Sequence, residues 1–179
     1  MLRMRPYKPI DALTVAGWIK DERSFRLWSA DRFRDFSLDP EELNRHYADH
    51  DNCDNFYPFT FFDGPGREGV TGHMIMRFTD EEKTALRFGF VILDDKRRGC
   101  GLGTEMVRLA LSYAFLMLKV HTVSLGVFEE NTPALRCYLR AGFKVDESAK
   151  AEHFDIGQEK WRCKELLCSR EDWERAKDE

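Results

Sequence analysis

The stretch FGFVILDDKRRGCGLGTEMVRLALSYAF, Phe88 to Phe115, decides the fold. Phe88 to Leu93 is apolar and bounded by the acidic pair Asp94-Asp95, which predicts a strand. Lys96 to Gly103 is basic and rich in glycine, a loop. Thr104 to about Lys119 is nearly all apolar and predicts a long buried helix. Glycines let a backbone turn tightly and aim successive N–H groups at one point. A helix starting behind them adds unsatisfied amides and the positive end of its dipole. With Lys96, Arg97 and Arg98 at the rim, the unit suits a phosphate or pyrophosphate. A plain strand-to-helix turn would use the same glycines for geometry alone.

Outward from this unit, the rest of the chain reads as alternating strands and helices. Upstream, Leu2 to Pro6 is a short extended opening, and Asp11 is a plausible N-cap for a helix carrying Leu13, Ala16, Trp18 and Ile19. Residues 21–38 mix aromatics and charges without a clean period and predict a short helix and a loop. Asp39-Pro40-Glu41-Glu42 starts a helix that runs to about His50. Phe56 to Phe62, Val70 to Phe78 and Thr84 to Leu93 predict an antiparallel meander, with a turn at Asp63-Gly64-Pro65-Gly66. Downstream, His121 to Phe128 is a strand with Val123, Leu125 and Val127 on one face. Asn131 to Arg140 is a helix, with Pro133 in its first turn and Gly142 just past its end. Phe143 to Val145 and about Lys160 to Cys168 predict a closing hairpin. The expected class is α/β (α+β): a mixed, mostly antiparallel sheet flanked by helices, in one domain over residues 1–179.

Composition narrows the function. The chain is 42% hydrophobic and 34% charged, with a net charge of −4. A general nucleic-acid binder needs a broad basic face, so no nucleic-acid partner is expected. Cysteines 53, 100, 137, 163 and 168 are scattered and form no CxxC pair, so neither a zinc site nor a disulfide framework is expected. No signal-like segment opens the chain, and Leu109 to Leu118 is too short to span a bilayer. The expectation is a cytoplasmic protein with reduced thiols, no membrane partner and no metal.

Spacing limits the phosphate ligand. A Walker A loop needs a lysine before its Ser or Thr, and here Gly103 directly precedes Thr104. A GxGxxG fingerprint starting at Gly99 or Gly101 fails at Thr104 or Met106.

Arg98, Gly101 and Gly103 satisfy [RQ]-x-x-G-x-[GA], and this loop resembles the acyl-CoA loop of the GNAT superfamily of N-acetyltransferases. The segment ENTPALRCYLRAGF resembles that family's N-x-x-A-x-x-x-Y-x-x-x-G-F ending, with Asn131, Ala134, Tyr138, Gly142 and Phe143 in register. The likeness covers about residues 2–168, most firmly 86–145. It implies acetyl-CoA as co-substrate and a GNAT fold in which strands 86–93 and 121–128 splay apart. The pantetheine arm would bond to the backbone of Val91, Ile92 and Leu93, which also read as a core strand. The pyrophosphate would lie on Arg98, Gly99, Cys100, Gly101, Leu102, Gly103 and Thr104.

By the same resemblance, Tyr138 is the general acid that reprotonates the CoA thiolate, and Asn131 hydrogen-bonds near the coenzyme. On their own, Tyr138 also reads as a packed aromatic and Asn131 as a helix N-cap. No base stands out: Glu68, His73, Glu129 and Glu130 each read better as surface or packing residues, and a water relay would serve. His46 and His50 share a helix face with i, i+4 spacing and read as solvated. Trp18, Phe25, Trp28, Phe33 and Phe36 read as core, some of them lining the acceptor wall. The likeness extends to the branch of ribosomal-protein N-terminal acetyltransferases, through the tryptophan-bearing first helices and Thr71-Gly72-His73-Met74. The expected activity is direct acetyl transfer to a primary amine, on a protein N-terminus or a small molecule, by a monomer or homodimer. A CoA-binding sensor without catalysis is the alternative.

Overall fold

The computed structural model describes residues 1–34, 36–50, 54–64 and 69–176. Cys53, Glu68 and the Pro65-Gly66 half of the expected turn lie outside these residues. The chain opens with β1 (Arg3–Pro6), α1 (Ala12–Gly17), α2 (Glu22–Ser29) and α3 (Pro40–Ala48). The meander follows as β2 (Phe56–Phe62), β3 (Val70–Phe78) and β4 (Ala85–Leu93). Next come α4 (Leu102–Ser112), β5 (Thr122–Phe128) and α5 (Thr132–Ala141). β6 (Lys144–Val145), β7 (Glu152–Ile156), β8 (Glu159–Ser169) and α6 (Arg170–Arg175) close it.

All eight strands form one sheet in the order β1-β2-β3-β4-β5-β8-β6, with β7 also paired to β8. Among the described residues only β4 and β5 run parallel; the other pairings are antiparallel. The alternation read in the sequence explains the two faces. Leu86 and Phe88 of β4, with Val123, Leu125 and Val127 of β5, enter the core beneath α4 and α5. On the other face, α1 to α3 cover a second core that holds Phe25, Phe33, Leu43, Tyr47, Ile75 and Ile92. Apolar burial at roughly 25 cal/mol per Å² drives both layers.

Several expectations change. Asp11 holds the N-cap position of α1, as expected, but its side chain makes no cap hydrogen bond there: it sits in a 3₁₀ turn, Pro9–Asp11, 2% exposed. It binds Arg5 in a two-pronged ion pair at 2.7 and 2.8 Å and accepts from Thr60 Oγ1 at 2.8 Å. A buried charge needs such partners, and that need outweighs capping. The long helix after the glycine loop stops being α-helical at Ser112 and continues as one wide turn, Tyr113–Met117. There Leu118 N–H bonds the carbonyl of Tyr113, and the turn buries Ala114 and Phe115 while Leu116 and Met117 stand 54% and 69% exposed. The closing hairpin is β7–β8, not β6–β8; β6 pairs farther along β8, at Lys144↔Leu167. The polar stretch Glu152–Ile156 hid β7, because an exposed edge strand needs no apolar face.

Candidate active site

The parallel pair β4–β5 is in register only at Ala85↔Thr122, Leu86↔Val123 and Arg87↔Ser124. Beyond Arg87, β4 keeps β3 as its partner and β5 keeps β8, so the two strands part. Directly past the split, β4 carries a bulge. Between Ile75↔Gly89 and His73↔Ile92, Phe90 and Val91 oppose the single residue Met74. Phe90 holds a left-handed φ of 47°, a conformation that non-glycine residues adopt only when surroundings enforce it. Those surroundings are aromatic: the Phe90 ring lies 5.1 Å from Trp28, 5.7 Å from Phe33 and 5.6 Å from His46.

A cleft of about 380 Å³ occupies the gap. Val91, Leu125, Val127, Asn131 and Tyr138 line it toward α5; Trp28, Arg32, His46 and His50 line it toward α2 and α3. Arg87, Gly126 and Cys163 also line it, as do Glu152 and Phe154 of β7. Of the residues assigned to the coenzyme from sequence, Val91 and Asn131 line this cleft, as does Tyr138. Ile92 turns into the core beneath α1 to α3, and Leu93 packs half-buried against the opposite core. The loop Arg98–Thr104 lies outside the cleft lining, at the head of α4.

In that loop Gly99 and Gly101 adopt φ of 81° and 87°, and Gly101 is the N-cap of α4. A Cβ at either would meet no atom within 4 Å, so the space in front of both is open. Gly103 differs: a Cβ there would come within 3.3 Å of Cys137 Sγ, so it permits α4 and α5 to approach. The three expected rim charges are reduced by one, because Arg97 forms an ion pair with Asp63. Arg98 reaches back to the Leu93 carbonyl at 3.3 Å. Cys100 is exposed, its thiol 3.0 Å from the Arg97 carbonyl.

Asn131 caps α5, accepting from Ala134 N–H at 3.3 Å, and Gly142 ends the helix at φ 117°. Tyr138 is buried one turn earlier, facing Phe143 at 6.2 Å. Burial holds its phenol well above the ordinary value, so it stays protonated at neutral pH.

The candidate bases fare unevenly. His73 is fully buried in β3, shares a 2.6 Å hydrogen bond with the Tyr47 hydroxyl and does not line the cleft. Burial drives its pKa down to about 3. Glu129 is bonded to Lys164 and Arg162, which hold its carboxyl below the usual range. Neither Glu129 nor Glu130 lines the cleft. His46 and His50, expected on a solvated face, instead face the cleft half-buried. Among the described residues no cluster of three or more metal-ligating side chains occurs, and no helix is long and apolar enough to cross a membrane.

The sequence reading missed part of the cleft lining. Arg87 bridges to Glu165 of β8, with Ser124 Oγ also 3.3 Å away. A charged residue between Leu86 and Phe88 was the available signal: an arginine within a buried strand needs a partner. Trp28 Nε1 is buried without a hydrogen-bond partner among the described residues, an unused donor in the cleft wall.

Comparison with known proteins agrees with this architecture. A family model described as "Acetyltransferase (GNAT) domain" matches residues 1–144. An N-acetyltransferase 9-like protein of Caenorhabditis briggsae is 26% identical over 146 residues, 78% of this chain and 72% of that protein. The spermidine N(1)-acetyltransferase of Escherichia coli K12 is 34% identical over 68 residues, 38% of this chain and 37% of that enzyme. Among solved structures, spermidine N-acetyltransferase from Vibrio cholerae, in complex with CoA and spermine, superposes with a TM-score of 0.78. It is 20% identical, covering 96% of this chain and 97% of that one. Aminoglycoside acetyltransferase AAC(6')-Ib, with coenzyme A and kanamycin, gives 0.76 at 15% identity, covering 99% of each chain. With a family match over most of its length, the chain belongs to the GNAT family and is an acetyl-CoA-dependent N-acetyltransferase.

Proposed function

We propose that the chain passes the acetyl group of acetyl-CoA directly to a primary amine, on a protein N-terminus or a small molecule, inside the cleft between β4 and β5. The observation that carries this reading is the split itself. An open strand edge runs along a cleft that a polar-tipped tyrosine and an asparagine line, with a glycine loop at a helix N-terminus nearby. The solved relatives named above were bound to spermine and to kanamycin, both of which carry primary amines.

In this reading the amides from Gly99 to Thr104 and the α4 dipole hold the pyrophosphate, with Lys96 and Arg98 supplying charge. The open space in front of Gly99 and Gly101 leaves an approach for a phosphate group. The backbone edge at Val91, Ile92 and Leu93 bonds the pantetheine amides. The Val91 N–H, turned by the bulge at Phe90, polarises the thioester carbonyl as negative charge develops on its oxygen. Asn131 adds a polar contact near the thiol, and Tyr138 gives its proton to the departing thiolate. Direct attack is favoured over a cysteine relay. Cys163, the thiol that lines the cleft, has its pKa pushed up to about 11 by burial, so it carries almost no thiolate at neutral pH.

The test is free-thiol release from acetyl-CoA against a panel of primary amines: spermidine, an alkylamine and a peptide with a free N-terminus. Amine-dependent release is expected with at least one class. Coenzyme binding without release for any of them would favour a sensor and overturn the reading.

A further inference from the structure

Neither the glycine loop, the open edge of β4, Asn131 nor Tyr138 removes a proton from the incoming amine. Two protons must leave an ammonium before it becomes an amide, and Tyr138, already protonated, can only return one to sulfur. The cleft lining narrows the choice. Arg32, Arg77 and Arg87 cannot accept protons. Glu152 is exposed on the edge strand β7, which pairs with β8 and not with β4. His73 and Glu129, both weighed from sequence, lie outside the lining. The imidazoles of His46 and His50 remain.

His46 has the stronger position. It projects from α3 toward β4, its ring 5.6 Å from Phe90 and 5.2 Å from Phe33, beside the bulge next to Val91. Its ring nitrogens make no hydrogen bond with the described residues, so a lone pair is free to face the cleft. His50 sits one turn further along, 5.1 Å from His46 and stacked on Phe56 at 4.5 Å. Its Nδ1–H donates to the His46 carbonyl at 2.7 Å, which leaves the lone pair on Nε2 of a ring held over Phe56 and not beside Phe90.

We propose that His46 is the general base of the transfer, a role that rests on acetyl transfer to an amine in this cleft. The His46 imidazole takes one proton from the acceptor ammonium. The freed nitrogen lone pair forms the bond to the thioester carbon, and the C–S bond breaks with its electron pair passing to sulfur. Tyr138 protonates that sulfur and recovers its own proton from the second one leaving nitrogen. His46 releases its proton to solvent.

Electrostatics agree with this geometry. Burial lowers the His46 pKa below its usual value, and His50 and Arg32 lower it further; Asp49 opposes them. Phe90, on β4, and Phe33 bring no charge to it. The base is therefore neutral at physiological pH and is lost only as pH falls into the acid range.

The test compares His46→Gln and His50→Gln with the wild type. It uses free-thiol release with whichever of spermidine, an alkylamine or an N-terminally free peptide the wild type acetylates, together with calorimetric titration of CoA. For the wild type, kcat/KM should be flat between the histidine limb and the amine's own pKa. His46→Gln should lose about a hundredfold at pH 7, in the range general base catalysis supplies. Its kcat/KM should climb steadily with pH as free amine accumulates, closing most of the gap near the amine pKa. CoA affinity should be unchanged, which separates catalysis from misfolding. A His46→Gln profile that keeps the wild-type plateau and rate overturns the proposal, as does a profile altered by His50→Gln alone. Wild-type protein that binds CoA but acetylates no amine overturns the transferase reading itself, and His46 with it.

Discussion

Arg87 of β4 and Glu165 of β8 form an ion pair that crosses the intervening strand β5 over Gly126. The crossing occurs at the last rung where β4 and β5 still pair, so it braces the sheet at the base of the split. Gly126 makes room for it: a Cβ there would lie 3.0 Å from Arg87 Nη2 and 2.9 Å from Cys163 Sγ. Gly126→Leu should displace both side chains, destabilise the fold by about 1–3 kcal/mol as overpacking does and weaken coenzyme binding. Thermal unfolding and calorimetry check this; unchanged values in both would mean the crossing does not brace the cleft.

Gly101 tests the loop. Its φ of 87° suits glycine and tolerates asparagine, but strains a β-branched residue by about 1–3 kcal/mol. Gly101→Val should raise the Michaelis constant for acetyl-CoA strongly, and Gly101→Asn much less. Equal values for both would separate the loop's geometry from coenzyme binding.

Tyr138→Phe removes the proposed proton donor while keeping the ring that packs on Phe143. Turnover should fall by about 10²-fold, the scale of one lost acid–base catalyst, with CoA affinity nearly unchanged. Full turnover would leave Tyr138 as packing alone.

His73 gives a stability prediction independent of catalysis. Its folded pKa of about 3 lies below the usual histidine value, so the unfolded chain binds the extra proton first. The stability linked to His73 is therefore complete above pH 6.5 and declines as pH falls from there toward 3. His73→Phe should flatten the fall in melting temperature across that window. It should also cost about 1–3 kcal/mol at neutral pH by orphaning the Tyr47 hydroxyl. An unchanged acid slope would rule out His73 as its source.

Much of this protein was legible from residues 86–145. Glycine spacing and the run from Asn131 to Phe143 carry strong local rules: left-handed turns, an N-cap and a helix stop. Strand alternation likewise assigned Val123, Leu125 and Val127 to one face. What stayed hidden depends on distant partners. Asp11 takes the N-cap position, but its carboxylate goes to Arg5 and Thr60 instead of the helix amides. His46 and His50 look solvated until β4 bulges beneath them. The edge strand β7 carries no apolar stripe to announce it, and Arg87 shows its role only beside Glu165, which lies far along the chain.

The most direct measurement is hydrogen–deuterium exchange of the wild-type protein with and without CoA, with ATP as the comparison. CoA should slow exchange at residues 88–93 along the open edge of β4 and at 99–104 in the glycine loop, and ATP should leave both unchanged. Protection by ATP with none from CoA, or CoA protection confined to other elements, would contradict a coenzyme held in the gap between β4 and β5.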